Sequence, residues 1–344
     1  MRRMISWIKK KILGNIVKIP KKVVIASCWL SSVMLLIAVG FPYLDKIKIE
    51  PLAGLYQTIV GIWPKSIHAL PEARILIIVW FLCSLFLCLY KKKFFILSVR
   101  SMAPDLEDID WNNYKRDYRI KHHDIDVVEE MKKENISEAV AIIDSKCNNI
   151  MKDKRDAEIG FYGIAHTPIL FRMGYLLGDQ SNIKIFHKSR MPTSKFKEWS
   201  TDKQSFKLEE PVESNETVES EELIVCISTT FPIKENEIID LQPENKQLLL
   251  LKGNTLDFDS ITSYEDAGRA REVIMDKVRR LVKKYDIRLI HFVISSSAAF
   301  TFFLGMNYSR QHDPDCIVYH YVHQHYPWGI KIKEHAENCF YKVL

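Results

Sequence analysis

Apolar and polar positions follow three different regimes along this chain. Val23–Leu44 ("VVIASCWLSSVMLLIAVGFPYL") and Ile75–Tyr90 ("ILIIVWFLCSLFLCLY") are apolar on every side and carry no charge. At 1.5 Å per helical residue the first covers about 30 Å, one hydrocarbon thickness. The second covers about 24 Å and needs snorkelling flanks or a locally thinned bilayer. Both are read as membrane spans. Upstream, Ile5, Ile8, Ile12, Ile16 and Ile19 recur at helical spacing among lysines, so residues 1–22 read as a basic amphipathic segment on a membrane surface.

From about residue 137 the pattern becomes strand–helix alternation. Ile159–Ile164 reads as a strand, His166–Leu177 as a helix and Ile183–His187 as the next strand. "ELIVCIS" and "QLLLLK" follow as buried strands. Ala270, Val273, Ile274, Val278, Leu281 and Val282 mark one helix face. "IRLIHFVIS" is a further strand, "AAFTFFLGM" a helix, and "CIVYHYV" and "WGIKI" close as strands. Near-continuous apolar strands between helices imply an α/β fold with a mostly parallel sheet. Two polar stretches divide the chain. Residues 94–136 are expected to form a cytoplasmic linker. Thr193–Glu222, rich in Glu, Ser, Thr and Pro, is expected to be a loop between lobes. The expected organisation is therefore a basic segment at 1–22, a two-span hairpin at 23–93, a linker at 94–136 and a globular region at 137–344, with lobes at about 137–192 and 223–344.

Charge fixes the expected orientation. The net charge of +6 over 344 residues is concentrated before the first apolar run and at Lys91–Lys93 after the second. By the positive-inside rule both ends face the cytoplasm, and lipid is a partner. The same distribution argues against a basic face for duplex DNA. The seven cysteines include no Cys-x-x-Cys pair, so reduced thiols are expected rather than disulfides or structural zinc. Ala26, Ser27, Ser31 and Ser32 offer a small-residue face on which hairpins from several chains could gather.

In parallel α/β sheets, ligands bind beyond the carboxyl ends of the strands. That rule selects Ser228 and Thr229 after "ELIVCIS", and Ser296 and Ser297 at a helix start, where N–H groups either bind phosphate or are simply capped. Lys188 and Arg190 in "FHKSR" supply phosphate-neutralising cations or a solvated turn. Tyr321 and Trp328 are candidates for stacking a base, or for strand core. His320, His323 and His325 lack a completing carboxylate, so no metal is expected. Gly-x-Ser-x-Gly is missing from the sequence, and no catalytic residue is assigned.

"IGFYGIAHTPILFRMGYLLGD", "IFHKSR", "ELIVCIST", "SSSAAFTFFLGM", "DPDCIVYHYV" and "PWGIKI" occur in an order that resembles the SAVED domain, over about two thirds of the chain. With two apolar runs ahead of it, the chain resembles the two-transmembrane SAVED effectors of bacterial antiphage signalling (CBASS). The resemblance implies two fused CARF-like Rossmann-type lobes after a transmembrane hairpin, and no cofactor. The ligand is a cyclic oligonucleotide, often a cyclic trinucleotide, made by a partner nucleotidyltransferase. It further implies that binding drives homo-oligomerisation, membrane disruption and abortive infection. His166 and Thr167 then stand near the pocket edge, with Gly163 and Gly174 serving a turn and close packing. Two alternatives remain from the residues alone: a membrane-tethered adaptor that recruits another protein, and a nucleotide-processing enzyme using its histidines.

Overall fold

A computed structural model describes residues 21–35, 78–85, 91–102, 106, 109–115, 117–153, 157–178, 182–189, 195–202, 205–214 and 220–343. The chain divides into two units, Met1–Lys91 and Lys92–Leu344.

The first unit contains helix α1 (Lys21–Leu35) and helix α2 (78–85). Among the described residues no helix is long and apolar enough to cross a membrane. The remaining parts of Val23–Leu44 and Ile75–Tyr90, and the basic segment 1–20, lie outside the described residues. Ser27 ties the two helices together. Its Oγ accepts a hydrogen bond from Trp80 Nε1 (3.1 Å) and lies 3.2 Å from Ser84 Oγ. The Ser31 and Ser32 hydroxyls bond back to the Cys28 carbonyl at 3.0 and 2.7 Å. Part of the small-residue face expected to join separate hairpins is thus used within one chain.

The second unit is built on two sheets. Strand β1 (Lys92–Arg100) opens it, and every residue from Phe94 to Val99 is buried. A strand buried on both faces belongs at the centre of a parallel sheet. β1 lies there, between β2 (Tyr118–Asp126) and β3 (Ala157–Ile164), parallel to both. Residues 94–136, expected as a linker, are therefore structural: they supply the central strand and an edge strand. β4 (Ile183–His187) continues the sheet in parallel, and β5 (Lys197–Glu198) closes it antiparallel. Helix α3 (Ile136–Asp153) places Ile136, Ala139, Val140, Ile143, Cys147 and Ile150 on one buried face at helical spacing.

The second sheet has the order β12-β11-β10-β9-β7-β8-β6. Its parallel centre is β7 (Glu222–Ser228), β8 (Gln247–Lys252), β9 (Leu289–Ser295) and β10 (Asp315–Val322). β6 (Val212–Ser214), β11 (His325–Lys331) and β12 (Phe340–Lys342) flank it in antiparallel pairing. β5 and β6 both come from the stretch expected to be loop. Phe196, Trp199 and Phe206 are buried there, which anchors a segment whose composition is otherwise that of a linker.

Helix α4 (Thr167–Leu177) of the first lobe crosses helix α6 (Ala298–Met306) of the second, while helix α5 (Tyr264–Tyr285) buries one face of its amphipathic pattern. Two glycines permit the crossing. A Cβ on Gly174 would lie 2.1 Å from the Phe302 carbonyl oxygen, and one on Gly305 would lie 2.0 Å from that of Phe171. Phe161 stacks on Phe302 beside this contact, with ring centroids 3.5 Å apart. Arg172 completes the junction. It is 3% exposed, forks onto Asp144 at 2.8 and 2.6 Å, and donates to the carbonyls of Lys331, Ile332 and Glu334. Burial opposes its charge, but the hydrogen bond and attraction of Asp144 prevail and raise its pKa.

Candidate ligand cleft

Parallel register brings the strand ends together. Ser228 ends β7 directly beside Ser295 at the end of β9, and Arg100 ends β1 beside Ile164 at the end of β3. Beyond these ends, both lobes line a cleft of about 440 Å³. The first lobe contributes the ends of β3 and β4 and the start of α4. The second contributes Ser296–Ala299 at the start of α6, with Phe258 from the loop after β8. α4 begins without a side-chain cap, with Pro168 in its first turn. α6 is capped by Ser297, whose hydroxyl accepts from the Phe300 N–H at 3.3 Å. Two helix N-termini therefore direct partial positive charge into one cleft.

Thr167, Lys188, Ser296 and Ser297 all line this cleft. Thr229 stands behind it, donating to Ser296 Oγ at 2.8 Å. Ser228 faces elsewhere: its Oγ accepts from the Ile233 N–H at 3.1 Å, which shapes the following loop. Arg190 lies outside the described residues. Tyr321 is 44% exposed and donates to Glu237 at 3.1 Å, away from the cleft lining. His323 (φ 44°) and Gln324 (φ 70°) form the left-handed two-residue turn between β10 and β11. His325 is therefore separated from His320 by a chain reversal, with His323 in the turn itself. Among the described residues no cluster of three or more His, Cys, Asp or Glu is placed to hold a metal.

His166 and Trp328 belong to a second group beside the cleft. The His166 ring meets His320 at 4.4 Å and Trp328 at 5.9 Å. Ser101 Oγ lies 2.6 Å from His166 Nδ1 and accepts from the His166 backbone N–H at 2.8 Å. Burial pushes His166 down to about 4, and burial with the neighbouring His166 pushes His320 down to about 3. Both rings are neutral at pH 7 and sit at a buried junction between the lobes.

At the cleft edge Asp259 joins the lobes, with one oxygen 2.7 Å from His187 Nε2 and the other accepting from Ser189 Oγ at 2.5 Å. Burial acts against its ionisation, but these hydrogen bonds outweigh it and hold the carboxyl below its usual range. Sequence reasoning did not single out Asp259, Phe258 or Ser101. Phe258, paired edge-on with the exposed Phe231 at 5.4 Å, is signalled only by an apolar residue in a polar loop.

No curated protein matches this chain. Among solved structures, the Acinetobacter baumannii Cap4 SAVED/CARF-domain containing receptor with the cyclic trinucleotide 2'3'3'-cAAA is similar at 14% identity and TM-score 0.48, over 76% of this chain and 59% of that one. The same receptor with 3'3'3'-cAAA gives 14% and 0.49 over 79% and 63%. The Moraxella osloensis Cap4 receptor gives 14% and 0.42 over 79% and 62%. The chain thus spans about three fifths of the length of these receptors. The profile of SAVED, the "SMODS-associated and fused to various effectors sensor domain", matches residues 143–332. That match covers more than half of the chain, and the chain belongs to the SAVED family of sensor domains.

Proposed function

We propose that this chain is a membrane-anchored sensor and effector of antiphage signalling. Its cleft takes a cyclic oligonucleotide, a cyclic trinucleotide being the ligand class present in the similar Acinetobacter baumannii Cap4 receptor. One observation carries the reading: two helix N-termini, Thr167, Ser296 and Lys188 converge on a single cleft made by both lobes. Such a site suits several phosphates held at a fixed spacing, which is what a cyclic oligonucleotide offers. Its volume falls within the range of about 300–1,000 Å³ usual for small-molecule sites.

Ligand bridging the lobes promotes association of chains, and the apolar runs Val23–Leu44 and Ile75–Tyr90 then act on the bilayer. Two spans enclose no lumen, so disruption requires several hairpins. The proposed chain binds without catalysing a reaction. The test is dye release from vesicles carrying the full chain. Release on adding a cyclic trinucleotide, lost in Lys188→Glu, supports the reading. Binding without release transfers the output to a recruited partner. The His187–Asp259 pair at the cleft edge favours hydrolysis as a second reading, and linear product after incubation would establish it.

A further inference from the structure

The cleft lining carries more apolar surface than phosphates require. Phe186, Phe196 and Phe258 line it together with Met102, Ile164 and Leu170. Phe186 and Phe196 are buried and pack among the other aromatic residues of the first lobe. Phe258 differs: it is half-buried and reaches the cleft from the second lobe, on the loop after β8. That loop is fixed to the end of β7. The Asp257 N–H and the Ser260 hydroxyl both donate to the Thr229 carbonyl, at 3.1 and 3.0 Å. Asp257 Oδ1 accepts from the Asp259 N–H at 2.9 Å, which closes a tight turn around Phe258. The Phe231 ring meets Phe258 edge-on at 5.4 Å, and the Phe231 N–H donates to Ser295 Oγ at 3.1 Å. The fold itself thus positions the Phe258 ring.

Asp259 follows directly. Its two oxygens engage His187 Nε2 and the Ser189 hydroxyl, and both of those residues line the cleft. The Asp259 side chain is 43% exposed, and each oxygen keeps a second lone pair for a further donor. An ionised carboxylate repels phosphate, so its place at this cleft fits a different part of a nucleotide. We propose that Phe258 and Asp259 form a base subsite of the cleft, in which Phe258 stacks a purine and Asp259 accepts from the N–H groups on its edge. The proposal rests on the cyclic-oligonucleotide reading above and adds which bases the ligand carries. Adenine and guanine offer a large π-face and an exocyclic amine. Uracil offers a smaller face and a single ring N–H between two carbonyl oxygens, whose lone pairs oppose a carboxylate.

The test is calorimetric binding of 3'3'3'-cAAA and of its all-uracil counterpart to the full chain in detergent, with thermal unfolding of each variant as the check on folding. The native chain should prefer the adenine ligand. Phe258→Leu, which keeps apolar bulk without a ring, should weaken that ligand on the order of 10-fold, and Phe258→Tyr should retain its binding. Asp259→Asn, whose amide offers a donor as well as an acceptor, should narrow the preference for adenine over uracil by about 10-fold. A purely structural role for Asp259 would instead weaken both ligands equally, and that result overturns its part in the subsite. Equal affinity of the native chain for the two ligands, or unchanged adenine-ligand affinity in Phe258→Leu, overturns the subsite and leaves the sensor reading standing. No binding of either ligand to the native chain overturns both the subsite and the trinucleotide reading on which it rests.

Discussion

Replacing Arg172 with Met tests the junction that holds the cleft together. The side chain is 3% exposed, so Met fills much of its volume but supplies no donor. Five hydrogen bonds are lost, two to the Asp144 carboxylate and three to backbone carbonyls. Breaking a buried ion pair from one side costs about 3–5 kcal/mol, since the other charge is left uncompensated. Asp144 retains 21% exposure, so water relieves part of that charge, and about 3 kcal/mol is the expected loss. For a unit of this size that corresponds to a fall of about 6–12 °C in melting temperature. The assay is urea unfolding of Arg172→Met, Asp144→Asn and the double variant. The singles should each be strongly destabilised, and the double should lose less than their sum. Because Arg172 sits in α4, whose start lines the cleft, ligand affinity should also weaken. A single variant within about 0.5 kcal/mol of the native chain, with additive effects, refutes the assigned role.

Three further outcomes follow from the same geometry. Gly305→Ala drives a methyl into the Phe171 carbonyl oxygen and should cost about 1–3 kcal/mol in urea midpoint, whereas Gly268→Ala, with open space around it in α5, should stabilise by about 0.5–1 kcal/mol. His166 and His320 are neutral when folded and titrate near ~6.5 when unfolded, so the stability they contribute is complete above that pH. It is lost as the pH falls toward about 4 and about 3, so the melting temperature should drop across that window and His320→Gln should flatten the drop; an unchanged slope contradicts the buried pair. Ser27→Leu removes the acceptor of Trp80 Nε1 between α1 and α2 and should reduce vesicle leakage without altering ligand affinity, while unaltered leakage assigns the contact no role in the output.

Legibility in the sequence depended on how local each signal was. The elements from Ile159 to Lys331 are visible because each carries its own periodicity and a stop signal, such as Ser295–Ser297 before α6. β1 was concealed because "FFILSV" follows an apolar run after three lysines and reads as its tail. Its partner β2 is an edge strand with one buried residue, Ile125, and so has no apolar signature. The cleft positions Lys188, Ser296 and Ser297 followed from a strand-end rule that needs only topology, while Thr167 followed from the family resemblance. Ser228 obeyed the same rule but is turned toward Ile233, and Tyr321, a base-stacking candidate, toward Glu237, by contacts no alternation pattern encodes. Arg172 pairs with a residue 28 positions away and with carbonyls about 160 positions away, and only the folded chain brings these together.

The most direct test of the central claim is calorimetric binding of cyclic di-, tri- and tetranucleotides to residues 92–344, with particle size followed in the same samples. The account predicts tight binding of one member, its loss in Lys188→Glu, and growth in particle size on binding. A folded sample that binds none of them contradicts the sensor reading and leaves the cleft as a feature of the fold alone.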